Sequence, residues 1–450
     1  MSDLPRSTSS KSEPSPAPIS FSSNGILRGN DGNWSIFDVS VGTPPQHFEV
    51  LASINKASVS LPFSASCSIN NSTPCTNFQT SNSSTWTASN STVGFDILYN
   101  GAQSLGNHSI VSLSESVYNP NTGFLGIGTV ASKGYVGRWQ YTGSDTENSS
   151  FIQSLKTQKL IPSVAFGYTA GAWYRNSSAS LVLGGYDAAK LDRSDASFDF
   201  FADRDTAISV NLKNLSIDGI SSAENLLSEG VVATFDSSAS FLSLPSKTCD
   251  VLGSLLGLQL DQRSGIYTYN SSMYKELQAS KPNMTFSFSN MGKKHVQTNI
   301  TLSYQSLAFL GNPPVFTVPT WFFPMKVAKN ESQAILGRAF FQEAYAIIDY
   351  DRNNFTIGQA TFSNESNIIT IKAVDRRVPI VLIVIFVLGL AFIVCSFIVA
   401  WIRDKKTKKY SKALYDKWIN AHATDLGMKQ GYEDEHVYHF LGLDLVHGEE

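Results

Sequence analysis

Two stretches of this chain share one form, and no other feature constrains the fold as much. The first runs Phe48-Glu-Val-Leu-Ala-Ser-Ile-Asn-Lys-Ala-Ser-Val-Ser-Leu-Pro62 and the second Val232-Ala-Thr-Phe-Asp-Ser-Ser-Ala-Ser-Phe-Leu-Ser-Leu-Pro245. Each reads as an apolar strand, a tight turn of small polar residues and a second apolar run stopped by proline. Both end in Ser-Leu-Pro, and counting back equally from each proline sets Ser53 opposite Asp236. Such a repeat predicts two similar lobes, each bringing one loop to a shared cleft, with a carboxylate on only one of them.

The rest of the composition agrees with a large folded body. The chain has 450 residues, a 42% hydrophobic fraction and a formal net charge of −3. Those values argue against disorder and against a nucleic-acid partner. Only 16% of residues are charged, while Ser, Thr, Asn and Gly abound, a strand-and-turn composition frequent in secreted proteins.

N-glycosylation acceptors of the form Asn-x-Ser/Thr number about fifteen. They include Asn33, Asn82, Asn90, Asn107, Asn148, Asn176, Asn214, Asn270, Asn299, Asn330 and Asn364, and none follows residue 378. That boundary is expected if only the part before it is luminal or extracellular. Cys67 and Cys75 flank a short polar stretch and are expected to form a small disulfide loop in an oxidising compartment. A zinc half-site is the cytosolic alternative, but the chain has no second Cys/His cluster to complete it. No metal and no cofactor is expected. Cys249 has no obvious mate and is expected as a buried free thiol. Residues 1–30, rich in Ser, Pro and Gly, are expected to be flexible. They show no apolar leader, which conflicts with a luminal domain unless Met1 is not the true start.

Alternation begins at Trp34 and runs through Ile36, Val39 and Val41 into the turn Gly42-Thr-Pro-Pro-Gln46. Phe95-Asp-Ile-Leu-Tyr-Asn-Gly101 is a strand breaking at Asn-Gly, a hairpin signal. Gly123-Phe-Leu-Gly-Ile-Gly128 and Ser180-Leu-Val-Leu-Gly-Gly185 follow. A second set of strands starts near Ile208 and closes with Ala334 to Phe341 and Tyr345 to Tyr350. The class is mainly β in two pseudo-repeated lobes, about 31–190 and 200–372.

Val378 to Ile402 is a charge-free apolar run of roughly 25 residues, long enough to cross a bilayer as one helix. Arg403, Lys405, Lys406, Lys408 and Lys409 follow it, against Arg376 and Arg377 before it. By the positive-inside rule the tail 403–450 is cytoplasmic and the large domain luminal or extracellular, at the plasma membrane or an endosomal or vacuolar membrane. Tyr410, Leu414, Trp418 and Ala421 recur at helical spacing. Tyr438-His-Phe-Leu441 fits a pattern read by sorting adaptors.

From about Trp34 to Ala360 these residues resemble the pepsin-like aspartic peptidases, family A1. Val41-Gly-Thr-Pro-Pro-Gln-His-Phe48 is similar to the family's Ile-Gly-Thr-Pro-Pro-Gln-x-Phe signature. Tyr99-Asn-Gly101 resembles the flap tyrosine and its turn. Phe124-Leu-Gly126 and Ile335-Leu-Gly337 resemble the two segments crossing behind the catalytic loops. Phe235-Asp-Ser-Ser-Ala-Ser240, with Asp236 and Ser237, resembles the second catalytic loop. The resemblance implies a bilobal pepsin-like acid protease fold and a cleft for an extended peptide or a cell-surface protein.

The first loop departs from the pattern. Where Asp-Thr-Gly-Ser belongs, the chain has Ser53-Ile-Asn-Lys56, and no Asp lies between His47 and Cys75. Glu49, the one carboxylate there, falls in the incoming strand. In the second loop the glycine position is Ser238 and the following hydroxyl position is Ala239, and the usual flap-supporting tryptophan is Ser60. Hydrolysis by this family needs two carboxylates about 3 Å apart sharing a proton. One activates a water while the other polarises the scissile carbonyl. A serine cannot hold the shared charge. Lys56 is either a solvated loop residue or a cation near the cleft that would hold Asp236 ionised. Ser53 as a nucleophile would need a histidine beside it, from His47, His108 or His295. The reading is therefore a non-catalytic, glycosylated, membrane-anchored binding or scaffolding protein. The alternative is an active aspartic-type endopeptidase working at acid pH on secreted or cell-surface proteins.

Overall fold

The computed structural model describes residues 15–63, 77–113, 122–129, 150–192, 195–200, 208–218, 225–291, 296–374 and 377–422. Strands dominate, and the chain divides into two units, Met1–Val374 and Asp375–Glu450.

The first lobe is built around the hairpin Trp34–Val41 and Gln46–Ser53, turning at Gly42 to Pro45. Phe37 pairs with Val50 and Val41 with Gln46. The apolar alternation places Phe37, Val39 and Val41 in the core, each no more than 1% exposed. The strand ending at Ser53 lies parallel to Gly123–Gly126, which in turn lies beside the short strand Val59–Leu61. The second lobe repeats this arrangement. Val231–Phe235 runs parallel to Gln333–Leu336, which pairs with Leu242–Leu244.

The repeat extends to register. Ser60 faces Phe124 in the first lobe, and Ser243 faces Ile335 in the second. Each crossing segment then reaches its glycine at the same place. A Cβ on Gly126 would lie 2.7 Å from the Lys56 carbonyl oxygen, and one on Gly337 would lie 2.5 Å from that of Ala239. Only glycine lets both crossing segments pass so close behind a loop. Ser53 and Asp236 therefore occupy equivalent ends of equivalent strands.

A sheet joins the lobes. Its neighbouring strands are Ala196–Asp199, Asn354–Gln359, Ala344–Asp349, Ala165–Thr169, Ser180–Leu183 and Ile19–Arg28. The last of these corrects the expectation of a flexible segment through residue 30. Ile19 pairs with Leu183 and Phe21 with Leu181, and both Ile19 and Phe21 are buried. The Ser-rich composition does not oppose a strand here, because a neighbouring strand supplies the ladder and two alternating apolar side chains reach the core.

In the second unit, one helix, Arg377–His422, is long and apolar enough to cross a membrane. The helix continues without a break past Ile402 through the basic stretch and includes Tyr410, Leu414 and Trp418. Tyr438 to Leu441 lie outside the described residues.

Candidate active-site cleft

The two loops meet directly. The Ser237 hydroxyl donates to the Ala52 carbonyl at 2.9 Å and accepts from the Ile54 N–H at 2.9 Å. Ser237 is fully buried, so this one hydroxyl ties the second-lobe loop to the backbone on both sides of Ser53. The equivalent first-lobe residue is Ile54, which is buried and has no hydroxyl to return the bond. The link between lobes is made from one side only.

Ser53 and Asp236 sit in different settings. Ser53 is fully buried, and its hydroxyl accepts the Lys56 N–H at 3.2 Å. Asp236 is half-buried, and its Oδ1 accepts the Ser238 N–H at 2.9 Å and the Ser238 hydroxyl at 2.6 Å. Ser238 thus works as a local clamp that fixes the carboxylate to its own turn. Glu49 gives no second carboxylate here: it forms a two-pronged ion pair with Arg28, at 2.7 and 2.8 Å.

Lys56 is half-buried, with its ammonium 5.2 Å from the centroid of the Phe124 ring. Burial lowers its pKa, and the charge of Asp236 works against that drop. Lys56 is therefore not a freely solvated loop residue but a cation within electrostatic reach of Asp236.

A second cation is one that the sequence reading did not single out. Arg338 directly follows the Ile-Leu-Gly segment and is 1% exposed. Its guanidinium donates to the carbonyls of Ser237 and Ser238, each at 3.0 Å, and to the Ser240 hydroxyl. The same group lies 4.8 Å over the Trp34 ring and 4.0 Å from the buried Asp31 carboxylate. Asp31 also accepts the Ser240 hydroxyl and the Trp34 indole N–H, the latter at 2.9 Å. Burial raises the Asp31 carboxyl and lowers the Arg338 guanidinium, and their mutual attraction opposes both shifts. Asp236 also acts on Arg338 electrostatically. The signal available in the sequence was a charged residue immediately after an apolar segment that had to be buried.

The Tyr99-Asn-Gly101 turn closes a hairpin of the first lobe, between the strands Val93–Asn100 and Gln103–Ser112. Tyr99 pairs with Ser40, next to the Gly42 turn and at the end of its strand away from Trp34. The Asn100 side chain donates to the Ser20 carbonyl at 3.1 Å, and Ser20 belongs to the sheet between the lobes. The hairpin signal was sound, since Gly101 takes φ +57 in a tight turn.

No histidine stands ready to activate Ser53 among the described residues. His47 is exposed and lies 3.4 Å from Asp38. His108 is buried against Phe151, with Nε2 bonded to the Leu105 carbonyl at 2.8 Å. His295 lies outside the described residues, as do Cys67, Cys75 and Asn148. Cys249 is a free, buried thiol, pushed up to about 12 mainly by that burial. Among the described residues, no group of His, Cys, Asp or Glu is placed to hold a metal ion. Asn33, Asn82, Asn90, Asn107, Asn176, Asn270, Asn299, Asn330 and Asn364 are exposed. Asn214 is half-buried within a strand, with its Oδ1 enclosed.

A mainly β chain folded as two register-matched lobes, with a carboxylate loop at their meeting point, defines an aspartic-protease architecture. The model of the eukaryotic aspartyl protease family matches residues 36–362, and the chain belongs to that family. It is similar to gastricsin from Cavia porcellus, with 24% identity over 345 residues, covering 72% of this chain and 79% of that protein.

Proposed function

We propose that this is a membrane-anchored, pepsin-like protein whose cleft binds an extended peptide or a cell-surface protein without cutting it. The observation that carries the reading is the matched register of the two lobes, Ser60 facing Phe124 and Ser243 facing Ile335, which supports taking Ser53 as the counterpart of Asp236. With one carboxylate there is no shared proton, and neither half of the acid–base pair can be assembled. One feature of the site supports this: the remaining carboxylate is tied to its own turn by the Ser238 N–H and hydroxyl, at 2.9 and 2.6 Å. A second comes from the fold: burial pushes His108 down to about 4, so the domain loses stability as the pH falls into the acid range.

The wider assignment follows the sequence. The domain before the helix is luminal or extracellular, glycosylated at its exposed acceptors and closed by a Cys67–Cys75 disulfide, with the basic tail in the cytosol. The second reading, a working acid endopeptidase, draws on family membership and on the retained Asp236. Incubating the purified protein with denatured protein between about pH 3 and pH 7 separates the two. We expect no cleavage above background, and pepstatin-sensitive cleavage would overturn the binding reading.

A further inference from the structure

The bend between the strands Ile19–Arg28 and Trp34–Val41 carries one of the acceptor asparagines, and its surroundings are unlike those of the others. Asp31 and Gly32 are buried, Asn33 is exposed, and Trp34 is 1% exposed. Each buried neighbour is held against the second lobe. Asp31 takes the Ser240 hydroxyl, Trp34 lies under the Arg338 guanidinium, and a Cβ on Gly32 would meet the Phe309 ring at 2.6 Å. The bend is pinned by a backbone bond as well, the Asn312 N–H donating to the Asn30 carbonyl at 2.8 Å. Arg338 in turn holds the Ser237 and Ser238 carbonyls. Asn33 is therefore the outward-facing residue of a segment clamped to the Asp236 loop, and the clamp fixes where its side chain leaves the surface.

We propose that Asn33 is an N-glycan site at the rim of the cleft, and that its glycan screens the loops from bulky folded chains while leaving small molecules and narrow extended strands free to enter. An N-glycan is bulky and strongly hydrated. On Asn82 or Asn364 it would extend from a surface that touches neither loop. On Asn33 it starts beside the loop that presents Asp236, from a backbone that cannot swing aside without breaking the Asp31–Ser240 and Trp34–Arg338 contacts. The cleft would then select partners by width, admitting a narrow extended strand and excluding a folded domain. This inference rests on the luminal placement proposed above.

The test uses the full chain, purified from a eukaryotic host in detergent. Mass spectrometry after trimming each glycan to one sugar should find Asn33 occupied, as Asn82 and Asn364 are. Occupancy at those two with Asn33 bare overturns this inference alone; no occupied acceptor anywhere overturns the luminal placement with it. For the screen, Ala239→Cys puts a thiol in the second loop, and its labelling is compared with that of the parent chain. A small maleimide should react equally fast with and without Asn33→Gln. A polymer-linked maleimide should react several-fold faster once Asn33→Gln is present. Ser35→Ala, which removes the acceptor but keeps Asn33, should reproduce that acceleration, and Asn364→Gln should not. Equal polymer labelling in all backgrounds, with Asn33 occupied, would overturn the screen.

Discussion

At the position where the second lobe carries Asp236, the first carries Ser53, and the difference spreads into each loop's surroundings. Beneath the second loop sits Arg338, bonded to the Ser237 and Ser238 carbonyls and to the Ser240 hydroxyl. At the equivalent place beneath the first loop sits Ile127, fully buried. Ser237 reaches across to the other lobe, while its counterpart Ile54 cannot. The second loop is held by a buried guanidinium, and the first by backbone bonds over an apolar side chain, the Ile127 N–H donating to the Ser53 carbonyl and the Gly128 N–H to the Lys56 carbonyl at 2.9 and 2.8 Å. A loop that must present a charge needs a defined polar frame. One that presents no charge can rest on a greasy floor, and the first loop has taken that form.

The largest effect should come from removing the frame on one side. Arg338→Ala leaves the Asp31 carboxylate buried without its cation and strips three acceptors of their donor. A loss of about 3–5 kcal/mol is expected, the usual cost of breaking a buried ion pair from one side. Ile127→Val at the equivalent site should cost only about 1 kcal/mol. Denaturant unfolding of the two variants measures the contrast directly, and equal losses would break it.

The next effect lies in the first lobe and depends on pH. His108 is 2% exposed, and its Nδ1 has no hydrogen-bond partner among the described residues. Its pKa falls from 6.5 in the unfolded chain to about 4 in the folded one. The unfolded state therefore binds more protons across that window, and stability falls as the pH drops through it. The loss should approach about 3 kcal/mol by the lower end. Unfolding midpoints measured from neutral pH downward should show the decline, and His108→Leu should flatten it.

Reading these contrasts from sequence succeeded in some places and not in others, for physical reasons. The Ser-Leu-Pro repeat was legible because strand, turn and strand each leave a local signature, and the register it implied is the register observed. Family signatures were legible because a turn such as Gly42-Thr-Pro-Pro is specified by its own residues. Arg338 left only a faint trace, a charge directly after an apolar segment, and nothing local named Asp31 as its partner, because the two lie far apart in the chain. The strand Ile19–Arg28 was missed for a related reason: its buried first half, Ile19 to Ser22, pairs with Ser180–Leu183, far along the chain.

A smaller effect probes the one-sided link between lobes. Ser237→Ala removes both bonds to the first lobe and leaves the Ala52 carbonyl without that donor in a buried setting, a loss of about 1–3 kcal/mol. Ile54→Val should cost about 1 kcal/mol and leave the link intact. Protease susceptibility of the native protein should rise for Ser237→Ala alone. A comparable rise for Ile54→Val would show that the first loop contributes to the link in its own right.

The central claim is that one carboxylate, however well framed, does not make a dyad. It is tested most directly by assaying acid-dependent cleavage of denatured protein by the unmodified chain and by Asp236→Asn, side by side. The account predicts background cleavage from both, with no difference between them, because there is no shared proton to lose. Turnover in the unmodified chain that disappears in Asp236→Asn would contradict it.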